Sequence, residues 1–203
     1  MLAFLGNTRV AYAAQDDVFR LSGTVQHRGT ESHARNVQPM TLPSASSSVI
    51  RPAVMRDLDA LVAIDAACFP AGIAYPREEI EFLLRNPQVM TVVAELSGII
   101  VGFAAFQRRQ PRRSHPIGRY GELVTIEVLP QFRRQSIGAE LYQTLEDSLR
   151  DWGGGRMQLH VSIENRAALS FYRRLGYRVI DRAPGYYLKT IDAWQMEKDL
   201  ASS

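Results

Sequence analysis

Apolar positions fall unevenly along the chain. Up to residue 48 they keep little period beyond the first dozen positions, whereas from residue 49 they sort into runs of period two and period near four, the marks of strand and helix. Val49-Ile50-Arg51-Pro52 reads as a short strand. Leu58, Leu61, Val62 and Ile64, with Asp57 as cap, describe an amphipathic helix to about Phe69, where Pro70 stops it. A second helix starts at Pro76 and runs through Leu84, with Glu78 and Glu79 where the helix dipole favours acids. Val89–Leu96 and Ile99–Phe106 are β-rich runs whose Ser97-Gly98 junction predicts a tight hairpin. Leu123–Leu129 is a further strand, ended by Pro130. Ile137, Leu141, Leu145 and Leu149 then recur every four residues, a helix with one buried stripe.

Gly153-Gly154-Gly155 stops that helix. In the strand Met157–Ile163, alternation puts Leu159, Val161 and Ile163 on one face and His160 and Ser162 on the other. Asn165 caps a helix burying Ala168, Leu169 and Tyr172, and Gly176 takes the left-handed closing position. Tyr177–Asp181 and Tyr186–Lys198 form a closing hairpin. The predicted order is β-α-α-β-β-β-α-β-α-β-β.

Composition narrows the classes. The 203 residues, 46% of them apolar, suit an extension over 1–48, predicted to be weakly ordered on its Ser44–Ser48 run and polar content, followed by one domain over 49–203. A net charge of +3 without a polybasic tail does not call for nucleic acid. The absence of a long apolar run predicts no membrane span. Met1–Leu5 lacks the basic flank and length of a secretory signal, and with the single Cys68 this predicts a cytoplasmic protein. Cys68 reads as a small buried hydrophobe rather than a reactive thiol. His27, His33, His115 and His160 lie far apart without acidic or Cys partners at ligand spacing, so no metal is expected. Residues 107–119 hold Arg108, Arg109, Arg112, Arg113 and Arg119 and no acid, read as a solvated hairpin loop.

The turn Arg133-Arg134-Gln135-Ser136-Ile137-Gly138-Ala139 joins a strand to a helix N-terminus, where unpaired N–H groups and the dipole favour an anion. It is not a Walker loop, because no Gly-Lys-Ser/Thr follows, nor a dinucleotide fingerprint, which needs three glycines. Two conformations are open for Ser136: a helix cap, or a left-handed residue at a cost of about 1–2 kcal/mol.

Arg-x-x-Ser-x-Gly-Ala resembles the Gln/Arg-x-x-Gly-x-Gly/Ala signature of the GCN5-related N-acetyltransferases, with Ser136 in place of the first glycine. Asn165-Arg166-Ala167-Ala168 through Phe171-Tyr172 to Gly176-Tyr177 is similar to a second segment of that family. Gly185-Tyr186-Tyr187 and Asp192–Met196 resemble the tail of its protein N-terminal acetyltransferases and the bacterial ribosomal-protein alanine acetyltransferases. The resemblance covers residues 49 to 198. It implies an α/β (α+β) fold, a mixed and mostly antiparallel sheet of about seven strands flanked by about four helices, with splayed central strands holding acetyl-CoA. By resemblance the cofactor contacts are Ile126, Glu127, Val128, Arg133, Arg134, Gln135, Ser136, Ile137, Gly138, Ala139, Asn165 and Tyr172. The substrate contacts are Phe69, Pro70, Tyr75, Val124, Tyr186 and Tyr187.

The implied chemistry is direct attack of an amine on the acetyl thioester. His160 stands where similar enzymes carry a base, Glu122 where related ones often have a water-holding tyrosine, and Tyr172 where the family places a tyrosine beside the CoA sulfur, which the resemblance makes the candidate general acid. Whether His160 or Glu122 is the base stays open. Alternation puts Glu127 on the face opposite Glu122. The expected acceptor is the α-amino group of a protein or peptide N-terminus, a ribosomal protein among the candidates. A lysine, polyamine or small amine is the alternative, and a non-catalytic acyl-CoA-binding module a reading of another class.

Overall fold

The computed structural model describes residues 48–69, 73–110 and 118–200. The proposed extension therefore falls outside the described residues except for Ser48, as do Pro70, Arg112, Arg113 and His115.

One sheet of seven strands organises the domain, in the order β1-β2-β3-β4-β5-β7-β6. The strands are β1 (Val49–Pro52), β2 (Val89–Leu96), β3 (Ile99–Arg109), β4 (Tyr120–Val128), β5 (Arg156–Ser162), β6 (Arg178–Tyr187) and β7 (Ile191–Asp199). Four α-helices accompany them: α1 (Leu58–Cys68), α2 (Arg77–Arg85), α3 (Ile137–Asp151) and α4 (Arg166–Arg174). All neighbours pair antiparallel except β4 and β5. The β2–β3 turn has positive φ at both Ser97 and Gly98, the twist that a two-residue hairpin needs.

Two apolar clusters cover the two faces. Leu123, Phe106, Met157, Leu159 and Val161 meet α3 and α4 on one side, and Phe103 and Val93 meet α1 and α2 on the other. The buried side of α3 is wider than the four-residue stripe, because Tyr142 and Glu146 are buried too. Glu146 is balanced by Arg150 and by Lys198 of β7, whose Nζ lies 2.8 Å away.

Three local readings need correction. Asp57 does not cap α1: its carboxylate accepts from the Val54 amide at 2.9 Å and pairs with Arg51 at 2.7 Å, closing the single 3₁₀ turn ahead of the helix. The closing hairpin turns at Leu188-Lys189, both at positive φ, rather than ahead of Tyr186. Ala183-Pro184-Gly185 interrupts the pairing inside β6, with Gly185 at φ +60° and a register shift between Ala183 and Tyr187. Nor are Arg108 and Arg109 loop residues. They extend β3, Arg108 lying over the Trp152 ring at 5.7 Å and Arg109 bonded to Glu122.

Candidate active site

The parallel pairing of β4 and β5 lasts for three residue pairs, Tyr120–Glu122 against Arg156–Gln158. Past that root, β4 stays on β3 and β5 stays on β7, so the strands part and leave two facing backbone edges without a ladder. Gly121 makes the root close. A Cβ there would stand 2.6 Å from Leu149 and 2.7 Å from Met157.

A bulge lies just past the root. Ala105 opposes Thr125 while Phe106 opposes Leu123, so Val124 is the extra residue on β4. One inserted residue reverses the alternation beyond it. Glu122 and Glu127, five apart in sequence, therefore share the α1/α2 face, opposite to the simple count. The Thr125 hydroxyl bonds to the Glu127 carboxylate at 2.6 Å along that face.

On β5, Leu159 and Val161 enter the α3/α4 core, so His160 points to the same side as Glu122. Its ring stacks on Tyr186, with centroids 4.3 Å apart and planes at 11°. The Tyr187 hydroxyl donates to the His160 carbonyl at 3.1 Å, fixing this stretch of strand. His160 Nδ1 is buried without a hydrogen-bond partner in the protein. Burial holds the imidazole below its ordinary pKa, and the Glu122 charge opposes that shift more weakly. Glu122 Oε2 accepts from Arg109 Nε at 2.6 Å and Nη2 at 2.5 Å. The β6–β7 hairpin carrying the two tyrosines is braced by Asp192, which accepts from the Gly185 amide at 2.8 Å and from Arg182 Nε at 2.9 Å.

At the far end of β4 the basic turn leads into α3. Ser136 adopts the left-handed conformation at φ +64° and makes no side-chain cap bond, and Arg134 is left-handed as well at φ +63°. Of the two conformations open to Ser136, the strained one is realised. A Ser136→Gly change should raise stability by about 1 kcal/mol in urea unfolding, the left-handed penalty less the extra freedom of glycine in the unfolded chain. Arg133 does not join Arg134 at the helix start. It folds back, with Nε on the Val128 carbonyl at 2.9 Å and Nη2 3.7 Å from Cys68 Sγ. Cys68 is buried and its thiol is pushed up to about 11, chiefly by burial, away from the nucleophilic thiolate form.

Asn165 caps α4 through Oδ1, which accepts from the Ala168 amide at 2.9 Å. Its Nδ2 is buried and has no acceptor in the protein. Tyr172 sits at the edge of a tyrosine cluster, 5.5 Å from Tyr177, whose hydroxyl meets that of Tyr142 at 3.1 Å. Burial raises its phenol above the ordinary tyrosine pKa. Phe69 and Tyr75 are buried in the α1/α2 cluster and Val124 packs against it. Ile126 packs against the opposite core, and Glu127 turns its side chain into α1. Sequence reasoning missed Arg109 and Asp65. An Arg in a basic run and an Asp within a helix carry no mark of the partners that the fold supplies.

A parted central strand pair, a left-handed basic turn at a helix start and a half-buried histidine on the parted strand β5 define an acyl-CoA-dependent transferase architecture. The chain matches the Acetyltransferase (GNAT) family over residues 58–177, and it belongs to that family. It is 30% identical over 139 residues to the N-alpha-acetyltransferase RimI of Mycobacterium tuberculosis, covering 67% of this chain and 82% of that protein. To the N-alpha-acetyltransferase daf-31 of Caenorhabditis elegans it is 27% identical over 117 residues, 57% of this chain and 63% of that protein. The fold is shared with the ribosomal-protein-S18-alanine N-acetyltransferase of Escherichia coli, at a TM-score of 0.65 and 21% identity over 77% of this chain and 96% of that one. The protein is thus an acetyltransferase with acetyl-CoA as its donor. No helix among the described residues is long and apolar enough to cross a membrane.

Proposed function

We propose that the acceptor is the α-amino group of a protein or peptide N-terminus, acetylated by direct attack. The observation that carries this is His160: neutral through burial, stacked beneath Tyr186, and holding an unpartnered Nδ1 on the face that Glu122 also lines. A neutral imidazole is a base matched to an α-ammonium of pKa about 7.7–8.0. A lysine, at about 10.4, costs roughly 3.5 kcal/mol more to deprotonate.

The residues present fit acetyl-CoA. The left-handed turn from Arg134 to Ala139 aims backbone N–H groups outward for a pyrophosphate. The open edge of β4 at Ile126–Val128 offers backbone partners to an extended chain of amides, and Asn165 Nδ2 is a buried donor in want of a carbonyl. When bound, the cofactor supplies a thioester carbonyl. His160 takes the ammonium proton, through a water that Glu122 orients. The amine nitrogen would then bond to the carbonyl carbon as the C–S bond breaks, the thiolate leaving with the electron pair and the nitrogen giving up its second proton to solvent. Tyr172, with its pKa raised, keeps its own proton and donates a hydrogen bond to the sulfur, so the thiolate takes its proton from solvent. Phe69, Tyr75, Val124, Tyr186 and Tyr187 hold the first residue of the acceptor. Relatives named N-alpha-acetyltransferase support this acceptor class.

The test is turnover of acetyl-CoA against short peptides with free and with blocked N-termini, lysine-containing peptides, and polyamines. Turnover should require a free N-terminus. Equal rates on a blocked, lysine-containing peptide would move the acceptor to side-chain amines, and binding without turnover on any amine would leave an acyl-CoA-binding module.

A further inference from the structure

A second titratable cluster lies on the same sheet face, and the proton path above does not use it. Glu127 of β4 and Asp65 of α1 are both fully buried. Their carboxyl groups are close enough to interact, and two like charges buried together favour a proton on one of them. Each has a second anchor: Glu127 Oε1 accepts from the Thr125 hydroxyl at 2.6 Å, and Asp65 Oδ2 accepts from the Tyr75 amide at 2.7 Å. Cys68 and Arg133 complete the polar surroundings, with Arg133 Nη2 3.7 Å from Cys68 Sγ.

The anchors lead to different parts of the site. The backbone of Glu127 lies in the half of β4 beyond the root, whose outer edge is parted from β5. Tyr75 lies two residues before α2, in the segment that follows the end of α1. The pair therefore joins the half of β4 assigned above to the cofactor to the segment assigned above to the acceptor.

We propose that Asp65 and Glu127 are positioning residues for the acceptor: one shared proton ties the cofactor-facing part of β4 to the segment entering α2, and so governs the acceptor KM. This rests on the amine-acceptor reading above. Burial first and the Asp65 charge second push the Glu127 carboxyl well above the usual carboxylate range, against Thr125 and Arg133. A raised folded pKa means that the native state holds the proton more tightly than the unfolded chain. Its contribution is complete below about 4.3, the unfolded value, and fades as pH rises toward the folded one.

The experiment compares wild type, Glu127→Gln and Glu127→Ala. Glutamine keeps a donor toward Asp65 without a titrating proton, so it should preserve the slow hydrogen exchange of the Tyr75 amide. Its melting temperature relative to wild type should rise steadily as pH increases above 4.3. Alanine should raise both the acceptor KM and the exchange rate at Tyr75 by about tenfold or more, with the cofactor KM within twofold. A melting gap between Glu127→Gln and wild type that stays constant with pH would overturn the shared proton, and this arm stands even where the alanine variant fails to fold. Unchanged exchange in the alanine variant, or acceptor and cofactor KM rising together, would overturn the positioning role. A wild type that acetylates no amine removes the proposed acceptor class, while exchange and melting still decide whether the pair seats the segment at Tyr75.

Discussion

Replacing His160 with alanine should lower kcat/KM on a free-N-terminus peptide by about 10²–10⁴-fold, the usual cost of a lost general base. Glu122→Gln should cost less, because Glu122 already gives one oxygen to both Arg109 N–H groups and, in the proposed relay, would act on the acceptor only through a water shared with His160. A shared path predicts that the double variant loses little more than His160→Ala alone. The pH profile identifies the group. Burial depresses the His160 pKa, so the imidazole is neutral at pH 7 and the wild-type acidic limb should lie below about 6.5, the ordinary imidazole value. His160→Ala should lack that limb. If His160→Ala and Glu122→Gln both keep wild-type rates and the limb, proton removal belongs to solvent or to the tyrosines of the β6–β7 hairpin.

Side-chain period made most of the scaffold legible. The helical spacing of Ile137, Leu141, Leu145 and Leu149, the cap at Asn165 and the Ser97-Gly98 turn are local signals, and each element forms where local chemistry says it should. What escaped depends on pairing. Nothing in Leu123-Val124-Thr125-Ile126 announces that Val124 will be squeezed out against β3, yet that one residue decides which face Glu127 takes. The bonding of Arg133 to the Val128 carbonyl is likewise a contact of the folded strand end, not of the motif. Ala183-Pro184-Gly185 has turn chemistry, and the chain uses it for a break within β6 while Leu188 and Lys189 accept positive φ at the true reversal. In the site, His160, Glu122 and Tyr186 were each visible as residue types at matching positions. That His160 and Tyr186 stack, and that Arg109 closes on Glu122, follows only from the shared face.

Those same contacts divide the basic turn into two roles, and cofactor affinity should separate them. CoA should bind at least about 100-fold more tightly than pantetheine, which lacks the pyrophosphate and nucleotide. Two charge-assisted bonds from the turn, at about 1.5–3 kcal/mol each, amount to that or more, since each 1.4 kcal/mol is tenfold. Arg134 is exposed at the start of α3, and Arg134→Ala should weaken CoA by up to about tenfold, with a shallower dependence on salt and no effect on pantetheine. Arg133→Gln should do the reverse. Its guanidinium bonds the end of β4 and approaches Cys68 rather than the turn's open side, so its loss should reduce stability by about 1–3 kcal/mol in urea unfolding while CoA affinity stays within about threefold. Calorimetric titration of wild type and both variants with CoA and with pantetheine reads all of these together. Equal affinity of the wild type for the two ligands would remove the pyrophosphate from the turn, and a larger loss of CoA affinity in Arg133→Gln than in Arg134→Ala would mean that Arg133 leaves the Val128 carbonyl when the cofactor binds.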